Sequence, residues 1–98
     1  MTVLHPFDVN KAFGERLRAE RELAGISQSE LASRSKIGRT TIANMEVGGQ
    51  AATVYQMLVL ADALGVEPAT LLPQPSATST DAGIVERLLR QRQAILNG

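Results

Sequence analysis

The stretch "SRSKIGRTTIANMEVGG", residues 33–49, decides how this chain folds. It carries Gly38, a Gly48-Gly49 pair, three basic side chains and two adjacent threonines. Ile42 and Met45 stand three residues apart. Apolar residues at that spacing in an otherwise polar run mark one face of a helix. The glycines punctuate both ends. The reading is a short third helix over residues 39–47, held down by Ile42 and Met45. Its outward face is Arg39, Thr40, Ala43 and Asn44. An ordinary solvated helix has the same composition, so function turns on what surrounds it.

Upstream, "SQSE" at residues 27–30 reads as a capping box: Ser27 takes an orphan amide and Glu30 reaches back. It opens a second helix to about Ser35, with Leu31 and Ala32 inward. A first helix precedes it, capped by Asp8 or Asn10 and running to about Ala24. Its inward positions are Phe13, Leu17 and Leu23, and Gly25 stops it. Residues 1–7 read as a loose end. Downstream, Thr53 caps a fourth helix, with Gln56 three residues on. Val54, Met57, Leu58, Leu60, Ala61 and Leu64 give it a wide buried face. Gly65 ends it, and Pro68 opens a short fifth helix to Leu72.

"PQPSATST", residues 73–80, is a linker by composition. Residues 81–98 read as one more helix with an apolar stripe of Ile84, Val85, Leu88, Leu89, Ile95 and Leu96. Strand signals are absent, so the fold class is all-α. The organisation is a five-helix domain over residues 1–72, the linker, and the C-terminal helix. That helix either packs on its own domain or forms a dimer seam.

Composition bounds the function. The chain has 98 residues, 44% hydrophobic, with only Phe7, Phe13 and Tyr55 aromatic. The core must be aliphatic and modest, and dimerisation would help to stabilise it. There is no cysteine, hence no disulfide and no thiolate metal site. The single histidine, His5, lies near the N-terminus without triad partners. Acidic residues show no metal-like clustering. These facts leave catalysis without support and call for no cofactor. The longest apolar run, near residues 57–61, is far too short for a membrane span. No signal-peptide design is present, so a cytoplasmic protein is expected.

Net charge is zero, so partner arguments rest on local patches. Lys11, Arg16, Arg18, Arg21, Arg34, Lys36 and Arg39 fall in the first half. Arg87, Arg90 and Arg92 close the chain, and residues 50–81 carry no basic residue.

The second and third helices are joined by about three residues. A turn that tight forces a steep crossing, as in a helix-turn-helix. Ala32 suits the crossing because a larger side chain would push the helices apart.

With "FGERLRAERELAGISQSELA", "RTTIANMEVG" and "MLVLADALGVEPATLL" in order and register, the sequence resembles the Cro/repressor-like helix-turn-helix family, often called XRE. The resemblance covers about residues 13–72. It implies a five-helix, lambda-repressor-like DNA-binding domain that docks its third helix in the major groove. It implies that Gln28 bonds a phosphate and braces that helix. Arg39, Thr40, Ala43 and Asn44 would meet base edges. Thr41 and the amides near Gly38 would lie by the DNA backbone, and Lys36 would attract phosphate. It also suggests an ion pair between Glu46 and Arg21.

Elementary chemistry agrees with these roles. Arginine forks onto guanine O6 and N7, and asparagine pairs with adenine N6 and N7. Threonine can bond a base edge or touch a thymine methyl. Amides at a helix start suit an anionic oxygen.

The sequence departs from the family in three places. Lys36 stands where the turn usually has glycine, which asks lysine for a left-handed backbone. Gly38 is a weaker cap than serine or threonine. The loop "VGGQAAT" lacks the family's basic residues, leaving backbone amides, Gln50 and Thr53 for phosphate. Weaker non-specific affinity follows.

The expected function is a sequence-specific, double-stranded-DNA-binding transcriptional regulator, a homodimeric repressor. No separate sensor domain is expected after Leu72. The competing reading is a protein-interaction module, such as an antitoxin or adaptor. It would hold a protein partner through the C-terminal helix.

Overall fold

Pro6 opens the first helix, because its missing amide and fixed φ suit a helix start. In the computed structural model, which describes residues 5–73, α1 spans Pro6–Leu23. The His5 carbonyl accepts the first helical bond from the Val9 amide at 3.1 Å. The start therefore precedes both expected caps. Asp8 lies inside the first turn, where a carboxylate favours the positive end of the helix dipole. Gly25, at φ 72, turns the chain out of α1.

α2 spans Gln28–Ser35, α3 Arg39–Glu46, α4 Val54–Leu64 and α5 Pro68–Leu71. Every described element is helical. The Ser27 hydroxyl accepts from the Glu30 amide at 3.0 Å, giving half of the expected capping box. The other half does not form, because the Glu30 carboxylate pairs with Arg34 one turn on. Thr53 and Gln56 do form the full box, with bonds of 3.0 and 2.9 Å. The linker residues beyond Pro73 and the helix expected at 81–98, with Ile84, Val85, Leu88, Leu89 and Ile95, lie outside the described residues.

Phe13, Leu17, Leu31, Ile37, Ile42, Met45, Leu60, Ala61 and Leu71 make the core. α1 packs on α3 and α5, α2 on α3 and α4, and α4 on α5. The Arg16 Nε donates to the Thr70 carbonyl at 3.0 Å and ties α5 to α1.

Three expected core positions are corrected. Leu23 is 80% exposed. The inward arc of α1 runs through residues 13, 17 and 21, so Arg21 holds the inner place and Leu23 lies nearly opposite it. Val54 and Leu58 are exposed as well. The inward arc of α4 is Met57, Leu60, Ala61 and Leu64, and residues 54 and 58 share a flank beside it.

Candidate nucleic-acid interface

The turn between α2 and α3 is built from local constraints. Lys36 takes φ 62, ψ 19, the left-handed conformation expected from its place in the turn. Its amide donates to the Ala32 carbonyl at 2.9 Å and closes α2. The buried Ser35 hydroxyl accepts from the Ile37 amide at 3.2 Å, and Ile37 is buried behind it. Gly38 follows in an extended conformation without a side-chain cap. The first amides of α3 are therefore left uncapped by Gly38. Glycine also keeps side-chain bulk away from that end.

α3 divides cleanly by face. Ile42, Met45 and Glu46 are buried. Arg39, Thr40 and Asn44 are exposed, while Thr41 and Ala43 are half-buried. Val47, just past the helix, is 75% exposed and continues the stripe of Ala43 and Asn44. It was not among the sequence-derived candidates. Its apolar character hid its place on the outer face.

Behind that face lies a polar network. The Glu46 side chain is 3% exposed and that of Arg21 is 12% exposed. Arg21 donates to both Glu46 carboxylate oxygens, from Nε at 2.7 Å and Nη2 at 3.0 Å. Its Nη1 also donates to the Ile26 carbonyl at 2.9 Å. The Glu46 hydrogen bond holds the Arg21 guanidinium above its ordinary pKa range despite burial, so it stays charged. A two-pronged arginine–carboxylate pair is geometrically specific. It locks the C-terminal end of α3 to α1 and to the turn before α2.

Gln28 extends the network to the start of α3. Its Nε2 donates to Glu46 Oε1 at 3.1 Å. A carboxylate only accepts, so this bond orients the carboxamide and turns Oε1 toward Arg39. Arg39 Nη1 reaches that oxygen at 3.5 Å, a long and weak bond. Gln28 thus braces α3 from inside. Among the described residues, its second Nε2 hydrogen meets no acceptor.

Two glycines set how closely α3 seats. A Cβ on Gly14 of α1 would stand 2.1 Å from the Met45 carbonyl oxygen. A Cβ on Gly48 would stand 2.9 Å from the Lys11 Cα. Nothing in the sequence marks Gly14, because a mid-helix glycine carries no sign of what it meets.

Among the described residues, no His, Cys, Asp or Glu group is arranged to hold a metal. No described helix is long and apolar enough to cross a membrane.

The helix-turn-helix family model matches residues 17–71, more than half of the chain. The restriction-modification controller protein C.AhdI from Aeromonas hydrophila shares 36% identity, with a TM-score of 0.63. That match covers 64% of this chain and 96% of the controller. The DNA-binding domain of BldD shares 32% identity over 67% of this chain and 96% of its own, with a TM-score of 0.62. The clp gene regulator ClgR from C. glutamicum shares 25% identity over 64% of this chain and 82% of its own, at the same TM-score of 0.62. No curated protein sequence gives a match. The chain belongs to the XRE-type helix-turn-helix family, and it is a DNA-binding regulator rather than an enzyme.

Proposed function

We propose that this protein is a sequence-specific repressor that binds double-stranded DNA as a homodimer. Two copies of α3 enter successive major grooves about 34 Å apart and occlude a promoter. The observation that carries the reading is the division of α3. Its buried side is pinned by the Arg21–Glu46–Gln28 network, while Arg39, Thr40 and Asn44 stand exposed in front of it. A helix fixed this firmly behind and left polar in front is a rigid platform for reading base edges.

In this reading Arg39 takes guanine and Asn44 takes adenine. Thr40, Ala43 and Val47 offer hydroxyl and apolar contacts. Thr41, Lys36 and the amides beyond Gly38 meet the backbone, and the free Nε2 hydrogen of Gln28 meets a phosphate oxygen. Residues 81–98 supply the dimer seam through Ile84, Val85, Leu88, Leu89 and Ile95. Among the described residues, Val54, Tyr55 and Leu58 leave an apolar flank of α4 exposed, which supports pairing with a second copy. A cytoplasmic location belongs to the same reading, since the proposed target is DNA. The likeness to the restriction-modification controller protein C.AhdI makes a controller of that kind one form of this regulator.

A second reading, an antitoxin or adaptor holding a protein partner, draws support from the zero net charge and the cation-free loop after α3. Selection of bound duplexes from a random pool separates the two. A palindromic consensus is expected. Arg39→Ala and Asn44→Ala should each relax preference at one position by about 1–3 kcal/mol. Retention of the parent preference by both variants would overturn the base-reading assignment. A monomer indifferent to all DNA would favour the second reading.

A further inference from the structure

The segment after α3, residues 47–53, carries no basic side chain, although it adjoins the helix proposed to lie in the groove. The fold brings a cation to it from another element. Gly48 takes φ +79, and a Cβ there would stand 2.9 Å from the Lys11 Cα, 3.2 Å from its Cβ and 3.3 Å from its N. α1 therefore crosses the end of α3 at Lys11 with no room for a side chain between them.

Lys11 is exposed. Among the described residues, its ammonium group joins none of the ion pairs, which are Arg18–Glu22, Arg21–Glu46 and Arg34–Glu30. The exposed carboxylates nearest it along α1, Asp8 and Glu15, form no ion pair with it. Gly48 directly follows Val47, the last residue of the exposed stripe. The backbone of Lys11 thus crosses where that stripe ends, and its exposed side chain starts from there.

We propose that Lys11 is the phosphate-binding cation of this loop. Its ammonium, on a flexible four-carbon stem, meets a backbone phosphate oxygen passing beside Gly48 and Gly49, without regard to base sequence. The proposal rests on α3 lying in the major groove. A purely structural role is the competing account. A cation near the C-terminal end of α3 also favours the negative end of that helix dipole.

The test compares the full chain with Lys11→Ala and Lys11→Arg, binding a pool-selected duplex and an unrelated duplex from 50 to 200 mM salt. Loss of one phosphate contact lowers the slope of log affinity against log salt by about 0.9. Over that fourfold rise the parent then loses about 3.5-fold more affinity than Lys11→Ala. The change should be equal on both duplexes, and Lys11→Arg should keep the parent slope. An unchanged slope in Lys11→Ala overturns the proposal. If its melting temperature also falls, Lys11 serves the helix dipole. A loss confined to the selected duplex makes Lys11 a base reader and overturns the proposal too. A parent that binds neither duplex removes the groove-docking reading together with this one.

Discussion

Glu46 accepts three hydrogen bonds, two from Arg21 and one from Gln28, at a side chain almost wholly removed from solvent. Removing the carboxylate strands the Arg21 guanidinium and frees the Gln28 amide. Glu46→Ala should cost about 3 kcal/mol, because breaking one partner of a buried pair leaves the other uncompensated. At this size the melting temperature should drop by more than about 10 °C, read by circular dichroism. A melting curve matching the parent would remove the brace. The sign of the pH effect follows from Arg21. Its folded pKa is raised, so its stabilising contribution is complete below the ordinary guanidinium range and is lost only above it. Arg21 therefore adds no pH dependence near neutrality. This pair was legible in the sequence only through family resemblance. Residues 21 and 46 share no helix, and periodicity cannot join positions on separate elements. The bond from Gln28 to Glu46 was not legible at all. It requires the crossing of α2 and α3 to be in hand.

At the scale of elements, the helices were largely readable because caps and stops are local. Gly25, Thr53 with Gln56, Gly65 and Pro68 each act within a few residues of their own position. The end of α3 fell one residue short of expectation, and α1 began earlier because Pro6 is itself a good first residue. What escaped was the choice of face. Leu23, Val54 and Leu58 are apolar, yet neighbouring helices occupy other arcs of α1 and α4. Gly14 escaped for the same reason. Its partner is the backbone of α3, where an added Cβ would overlap the Met45 and Glu46 carbonyls. Gly14→Ala should therefore destabilise by about 2 kcal/mol or more, despite alanine's better helix propensity. It should also weaken DNA binding in those molecules that still fold, since α3 must move outward. Denaturant titration reads the first effect and a duplex-binding titration the second. A more stable Gly14→Ala variant would show that α1 and α3 do not meet this closely. Lys36 offers the opposite sign. A lysine at φ 62 bears a left-handed strain that glycine lacks. Lys36→Gly should raise stability by about 0.5 kcal/mol after glycine's larger chain-entropy cost.

At the scale of the whole molecule, the question is how one small domain gains both stability and operator length. A single α3 spans only a few base pairs, and the aliphatic core is small, with nine buried hydrophobic side chains among the described residues. A second copy would address both limits, doubling the recognition site and covering apolar surface. The apolar stripe at residues 84–96 is the sequence feature suited to that task, with Val85 and Leu89 at the four-residue spacing that a helix would bring to one face. Placing carboxylates at both positions, Val85→Glu with Leu89→Glu, would set like charges against each other across the proposed two-fold seam. If these residues form the proposed dimer seam, sedimentation should report a dimer for the parent and a monomer for this variant. Affinity for a duplex with two half-sites should fall toward that for a single half-site. The melting temperature extrapolated to low protein concentration should stay near the parent value, because the five-helix domain keeps its own core. The outcome differs if these residues pack on their own domain instead. The mass would then be unchanged, and the melting temperature would fall at every concentration, because the buried charges would act within one chain.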